Sequence, residues 1–294
     1  MTKSILVTGA NGQLGSELRD LSRVYASDKF TFINRASVDF SDTQAIKEWF
    51  ADKVFDVIIN CAAYTAVDKA ESEPDLARAI NATAVATLAQ IAKDKSSQLI
   101  HISTDYVFAG ENFQPYTESD VTAPQSIYGL TKWEGEQAML AINPLNSLII
   151  RTSWVYSQYG NNFVKTMVRL GKERSELGVI FDQVGTPTYA KDLAQAILTI
   201  IHHSQDASPK STEIYHFSNE GVCSWYDFAT AIFELSGLNC TVKPIETVAY
   251  PTPAKRPHYS LLNKAKIKAD YALTIPYWKD SLKTCLAALS GDNK

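Results

Sequence analysis

The start of the chain constrains its fold more than any other stretch. Ser4-Ile5-Leu6-Val7-Thr8 is a short, apolar, β-branched run that reads as a buried strand. It leads directly into Gly9, Gly12 and Gly15, after which Leu14, Leu18 and Leu21 recur at helical spacing. Strand, glycine turn and helix follow one another without a gap. Glycines let the backbone turn tightly and approach a pyrophosphate, and the helix N-terminus offers free N–H groups to the anion. The spacing is G-x-x-G-x-x-G rather than the usual G-x-G-x-x-G of dinucleotide-binding turns. A plain strand-to-helix turn is the alternative reading.

Strand and helix patterns then alternate. Strands are expected at 30–33, 56–60, 98–102, 148–150 and 179–181, and helices at 43–50, 73–93 and 126–141. That alternation implies an α/β fold, a Rossmann-type doubly wound parallel sheet with helices on both faces. Ligands bind such a sheet at the carboxyl ends of its strands, where Gly9, Ala62, Ser103 and Thr104 fall. The second half changes character. Pro187, Pro209, Pro244, Pro251, Pro253 and Pro257 interrupt it, helices are expected at 192–202, 224–236 and 277–289, and 247–262 reads as loop. The expected division is a nucleotide-binding unit over 1–155, with a returning segment over 177–203. A smaller mixed α/β substrate unit would cover 156–176 and 204–294.

After the second strand, enzymes that select NAD usually place an acidic residue on the ribose 2′-hydroxyl. Here Asn34-Arg35 follows instead. Arg35 suits a 2′-phosphate and so favours NADPH, with a solvated surface arginine as the plain alternative. Asp39 and Phe40 stand where the adenine would be flanked.

The 294 residues carry a net charge of −4 and no basic tract, which argues against nucleic acid as the main partner. The four cysteines, Cys61, Cys223, Cys240 and Cys285, form no C-x-x-C pair and read as reduced structural residues. No apolar run is long enough to span a membrane, and the chain opens directly on its first strand. A cytoplasmic protein is expected. His101, His216 and His258 show no metal-ligand spacing and read as structural.

Tyr128 and Lys132 are four residues apart, on one face of the helix expected at 126–141. An ammonium beside a phenol favours the phenolate, and is expected to lower the tyrosine from its ordinary value of about 10. A tyrosine tuned in this way can exchange a proton with a sugar or alcohol oxygen.

Longer motifs accompany these residues: Asn60-Cys61-Ala62-Ala63-Tyr64-Thr65-Ala66-Val67-Asp68; Ser103-Thr104-Asp105-Tyr106-Val107-Phe108; Arg151-Thr152-Ser153-Trp154-Val155-Tyr156; Asn161-Asn162-Phe163; and Pro251-Thr252-Pro253-Ala254 before Arg256-Pro257. With them the chain resembles the extended short-chain dehydrogenase/reductases over almost its whole length. More narrowly, it resembles the dTDP-4-dehydrorhamnose reductase family. The resemblance implies NAD(P)H-dependent reduction of the C4 ketone of dTDP-4-dehydro-L-rhamnose, a step toward cell-surface polysaccharide.

Residue by residue, the resemblance implies Tyr128 as proton donor and Lys132 as the group that tunes it and holds the nicotinamide ribose. Thr104 would stabilise charge developing on the carbonyl. Spacing alone does not separate Thr104 from its neighbour Ser103, and the family pattern favours Thr104. Cofactor contacts are expected from Gly9, Asn11, Gly12, Gln13, Leu14 and Gly15, from Asn34, Arg35, Asp39 and Phe40, and from Ala62, Ala63 and Tyr64. Ser103, Thr104, Asp105 and Trp154 are expected at the sugar. Asn162, at a helix start, and Arg256 are expected at the diphosphate. Some members of the family bind Mg²⁺ through glutamates at a dimer contact. Glu17 matches one such position, but Lys191 stands where another acid would be, so no metal site is expected and the chain is read as a monomer or homodimer. A sister epimerase or 4,6-dehydratase, and a non-catalytic regulatory relative, are the alternatives. The dehydratases' Asp-Glu pair is missing after Thr104, where Asp105-Tyr106 stands, and a pure scaffold needs neither Tyr128 nor Lys132.

Overall fold

A computed structural model describes residues 2–203 and 210–291. The first half contributes β1 (Ser4–Thr8), α1 (Gln13–Ser22), β2 (Lys29–Phe32), α2 (Thr43–Phe50), β3 (Val57–Asn60), α3 (Val67–Ala70), α4 (Pro74–Arg78), α5 (Ala84–Asp94), β4 (Gln98–Thr104), α6 (Ile127–Ile142) and β5 (Leu148–Thr152). The second half contributes β6 (Val155–Tyr156), α7 (Phe163–Glu173), β7 (Glu176–Ile180), β8 (Val184–Gly185), β9 (Thr188–Tyr189), α8 (Ala190–His202), β10 (Glu213–His216), β11 (Cys223–Ser224), α9 (Trp225–Ser236), β12 (Thr241–Ile245), α10 (Ala265–Tyr271) and α11 (Trp278–Ser290).

Six strands form one parallel sheet in the order β10-β5-β4-β3-β1-β2. The expected doubly wound architecture is therefore present. Along β1, Ile5 and Val7 face the apolar cluster under α1 and α8, while Leu6 faces the one under α2, α5 and α6. β3, β4 and β5 alternate in the same way, with Ile59, Ile100 and Ile150 on one side and Ile58, Leu99 and Ile149 on the other. A sheet buried on both faces needs strands that are apolar throughout, which is how these strands read. The chain steps from β1 outward to β2 and then returns to place β3 on the other side of β1. This change of direction opens a crevice at the strands' C-terminal ends.

Two segments fall elsewhere than expected. The sixth strand, Glu213–His216, comes from the part of the chain assigned above to the second unit, and it pairs with Leu148–Arg151. The segment expected to return as a sheet strand, around 179, instead pairs as β7 with β12 in a separate two-stranded sheet. The pattern of exposure gives the reason. β7 is half exposed, as suits a small outlying sheet, whereas Tyr215 and His216 in β10 are buried. Pro244 lies within β12, which has β7 as its one partner, and an outer strand tolerates the missing N–H. The helix expected over 73–93 is divided by a π-helical turn, Ala79–Thr83, whose inserted residue turns Asn81 inward. A third apolar cluster, with Val164, Met167, Phe228, Ile232 and Leu282 at its centre, joins α7, α9 and α11 around the small sheet.

α6 lies across β4 and β5 and is fixed there by charge. Arg151 and Glu136 are both buried, paired at 2.7 Å between Nη2 and Oε2, and Ser103 donates its hydroxyl to Glu136 at 2.5 Å. Arg151→Met leaves the Glu136 carboxylate buried without its cation, and urea denaturation should show a loss of about 3–5 kcal/mol. The double variant Arg151→Met/Glu136→Leu should recover most of that loss. A single variant as stable as the parent would show that the pair does not hold α6.

Candidate active site

The glycine loop is shaped by close approach. Gly9 has φ +62°, and a Cβ there would lie 2.6 Å from the Cys61 carbonyl carbon and 2.7 Å from the Ala62 nitrogen. A side chain is excluded, so β1 and β3 deliver their C-terminal loops side by side. Gly12 is the N-cap of α1 and makes no side-chain cap, which leaves the first-turn N–H groups of Gln13, Leu14 and Gly15 without a side-chain acceptor. Bare glycine backbone and an uncapped helix start suit a dinucleotide pyrophosphate.

Around this loop, Asn34 closes a turn on the Ala36 N–H at 2.9 Å. Arg35 is 78% exposed, with one loose ion pair to Asp39 at 3.6 Å, so its guanidinium remains available. Asp39 is held by Ser41, and Phe40 is buried in the apolar cluster under α2 and α5. Ala62 is tied to Thr8, and the Tyr64 backbone N–H to Asn81 at 2.9 Å, while the Tyr64 hydroxyl donates to Glu73. Ala63 lies between them, and Asn11 is exposed at the loop tip.

Tyr128 and Lys132 occupy the first turns of α6. Ser126 caps this helix by accepting the Gly129 N–H at 3.2 Å. A Cβ on Gly129 would lie 2.3 Å from the Tyr106 carbonyl oxygen, so the glycine lets α6 press onto the turn after β4. That contact brings half-buried Tyr128 beside Thr104. Burial pushes the Tyr128 phenol up to about 12, against the opposing hydrogen bond with Thr104. The expected lowering by Lys132 is not realised here. The Lys132 ammonium is 1% exposed and donates to the Ile102 carbonyl at 2.6 Å, with His101 Nε2 at 3.3 Å. Burial draws Lys132 down to about 8, with Glu136 opposing.

Ser103 and Thr104, inseparable by spacing, differ in their surroundings. The Ser103 hydroxyl is committed to Glu136 inside the protein. Thr104 Oγ1 points the other way, to Asp105 Oδ1 at 2.9 Å and toward Tyr128. Asp105 is 2% exposed, and burial raises its carboxyl to about 7.

Other expected site residues also have partners within the protein. Trp154 has a left-handed backbone, φ +50°, and stacks on Trp225 with ring centres 3.7 Å apart. Trp225 was not anticipated, although Ser224 and Asp227, which form the capping box of α9, mark it as the first helical residue. Asn162 caps α7 and donates to the side chain of Gln13, so it braces the loop through Gln13. Arg256, expected at a diphosphate, forms a two-point pair with Asp68 at 2.5 and 2.7 Å. Asp68 is five residues beyond Ala63, so this pair ties the 251–257 loop to the nucleotide crevice. Glu17 is buried and bonded to Ser157, and the described residues hold no cluster of three or more acidic, His or Cys side chains able to bind a metal.

Residues 2–290 match the RmlD substrate binding domain family. The chain belongs to this family. It is 43% identical to the dTDP-4-dehydrorhamnose reductase of Shigella flexneri, over 97% of this chain and 98% of that one. To the enzyme of the same name from Escherichia coli K12 it is 42% identical, with the same coverage. The dTDP-4-dehydrorhamnose reductase structure from Clostridium acetobutylicum superposes with a TM-score of 0.90 at 43% identity, covering 98% of this chain and 99% of that one. The Bacillus anthracis structure, solved in complex with NADP, gives 0.91 at 38% identity and covers 98% and 100%. Membership makes this chain an oxidoreductase with a nicotinamide cofactor. Among the described residues no helix is long and apolar enough to cross a membrane.

Asp105 gives a test of the crevice's electrostatics. Its carboxyl is raised in the folded protein, so between the unfolded value of about 3.9 and about 7 the folded state holds the extra proton, and stability falls as pH rises through that window. Asp105→Asn removes this contribution. The melting temperature of the variant, relative to the parent, should climb from pH 4 to pH 7 and level off above. A difference that does not vary with pH would show that Asp105 is not desolvated in this way.

Proposed function

We propose that the protein reduces the C4 ketone of dTDP-4-dehydro-L-rhamnose to dTDP-L-rhamnose in the cytoplasm, with NADPH preferred. The observation that carries this reading is the meeting of Thr104 and Tyr128, two hydroxyls close enough at the C-terminal end of β4 for Thr104 to oppose the rise of the phenol. Such a pair suits a carbonyl oxygen that gains an electron pair and then a proton. The nicotinamide, when bound, supplies the hydride. Thr104 would donate to the carbonyl oxygen and stabilise the charge that develops there. Tyr128 would deliver its phenolic proton to the same oxygen, leaving the C4 hydroxyl. Its high value in this structure keeps it protonated, as a donor must be. Lys132 would hold the cofactor ribose and stabilise the phenolate left after transfer. The cluster around α7, α9 and α11 would form the wall of the sugar-nucleotide site, with Trp154 offering its ring face and indole N–H.

Following NADPH absorbance with the 4-keto sugar nucleotide tests the reading directly. Stoichiometric oxidation is expected, and a folded sample that binds NADPH without oxidising it would overturn the assignment. Tyr128→Phe should retain NADPH affinity and lose about 10²-fold or more in turnover. Unchanged turnover would remove Tyr128 from the reaction. Arg35→Ala should raise the Michaelis constant for NADPH about 10-fold and leave that for NADH nearly unchanged, since a charge-assisted phosphate contact at so exposed a site lies at the weak end of its range. If both constants stay put, Arg35 does not read the 2′-phosphate.

A further inference from the structure

A row of buried polar side chains runs behind Lys132. The strand register sets Thr8 opposite Asn60 and Asn60 opposite His101, at the C-terminal ends of β1, β3 and β4. Their side chains touch in that order. Thr8 Oγ1 lies 2.7 Å from Oδ1 of Asn60, and the other end of that amide lies 3.0 Å from His101 Nδ1. His101 Nε2 lies 3.3 Å from the Lys132 ammonium. Thr8 also accepts the Ala62 N–H at 3.2 Å, so the row ends on the glycine-loop crevice. Asn60, Thr8 and His101 are buried, with 0–1% exposure. Nothing in the reaction proposed above uses them.

Hydrogen-bond logic restricts this row. An ammonium only donates, so His101 must present a bare Nε2 to Lys132. A neutral imidazole then carries its proton on Nδ1 and needs an acceptor there. The group in reach is the Asn60 side chain, which the structure orients with Nδ2 on His101 and Oδ1 on Thr8; half a turn about its last side-chain bond exchanges the two and supplies the acceptor. The ring is kept neutral by burial and by the adjacent ammonium, which hold His101 well below its ordinary value. We propose that His101 is a positioning residue for Lys132: its Nε2 accepts from the ammonium, its Nδ1–H is fixed by the Asn60 carbonyl, and the row thereby aims Lys132 at the cofactor crevice and keeps it charged.

The Ile102 carbonyl accepts from the same ammonium but carries no proton that could change. Other groups around Lys132 are Glu136, Cys61 and Tyr128. Glu136 raises the lysine but is held as a carboxylate in its pair with Arg151, while burial pushes the Cys61 thiol far up and the Tyr128 phenol up to about 12. Neither the thiol nor the phenol titrates near Lys132's value of about 8. His101 is the neighbour whose ring nitrogen meets the ammonium directly, so its removal takes an acceptor from the charged form.

The effect on the cofactor rests on the function proposed above, but the tautomer does not, so the two can fail separately. In the wild-type protein labelled with ¹⁵N-histidine, long-range proton–nitrogen spectra at pH 6.5 should show His101 protonated on Nδ1 alone. A proton on Nε2, or on both nitrogens, would overturn the proposal whatever the activity. His101→Leu takes the acceptor from Lys132, which should then lose its proton about one pH unit lower, the scale of a lost charge-assisted hydrogen bond. NADPH affinity, measured by fluorescence from pH 6 to 9, should fall off correspondingly earlier on the alkaline side. His101→Gln keeps an acceptor near the Nε2 position and should restore much of the parent profile. An alkaline limb in His101→Leu that coincides with the parent would contradict the proposal. If that variant does not fold, the tautomer in the wild-type protein decides.

Discussion

The site depends on how α6 is held to β4. Lys132 reaches the Ile102 carbonyl one turn before Glu136 reaches Ser103 and Arg151, so two successive turns of the helix are clamped to the strand that carries Thr104. Both clamps lie in the protein interior, where a charge–dipole contact is strong and an unpaired charge is costly. The Gly129–Tyr106 approach then sets how near the helix comes. With these contacts in place, Tyr128 has little choice of position. Burial raises its phenol and lowers the lysine, which leaves a protonated donor beside an ammonium near its titration point, the two forms that the proposed reaction needs.

The second half of the molecule is joined to the first at the crevice as well as through the core. Asn162 donates to Gln13 beside the glycine turn, and Arg256 grips Asp68 just past the β3 loop. β10 goes further and enters the main sheet itself. The walls of the proposed sugar site are therefore tied to the loops that would hold the nucleotide cofactor.

Much of this is legible in the sequence, for physical reasons. Strands buried on both faces must be apolar throughout, so β1, β3, β4 and β5 stand out, and Gly9 marks a turn that a side chain would block. The match of Tyr128 to Lys132 follows from helical spacing. What escapes is set by partners distant in the chain. Glu213–His216 is four residues long, and only its pairing with β5 makes it a strand. Ser103 and Thr104 look alike until Glu136 claims one of them. Arg256 reads as a phosphate ligand until Asp68 is seen across from it. His101 reads as a structural residue because no spacing links it to Lys132, 31 positions later. Spacing also sets the lysine against the phenol and so points to a lowered tyrosine, whereas the backbone carbonyl of Ile102 holds the ammonium and burial raises the phenol.

The central claim is that Tyr128 and Thr104 together receive the C4 oxygen. A crystal structure of this protein with NADP⁺ and dTDP-L-rhamnose tests it most directly. If the claim holds, the C4 hydroxyl oxygen lies within hydrogen-bond reach of both Tyr128 Oη and Thr104 Oγ1, at about 2.6–3.2 Å. A bound sugar whose C4 oxygen meets neither hydroxyl would contradict it.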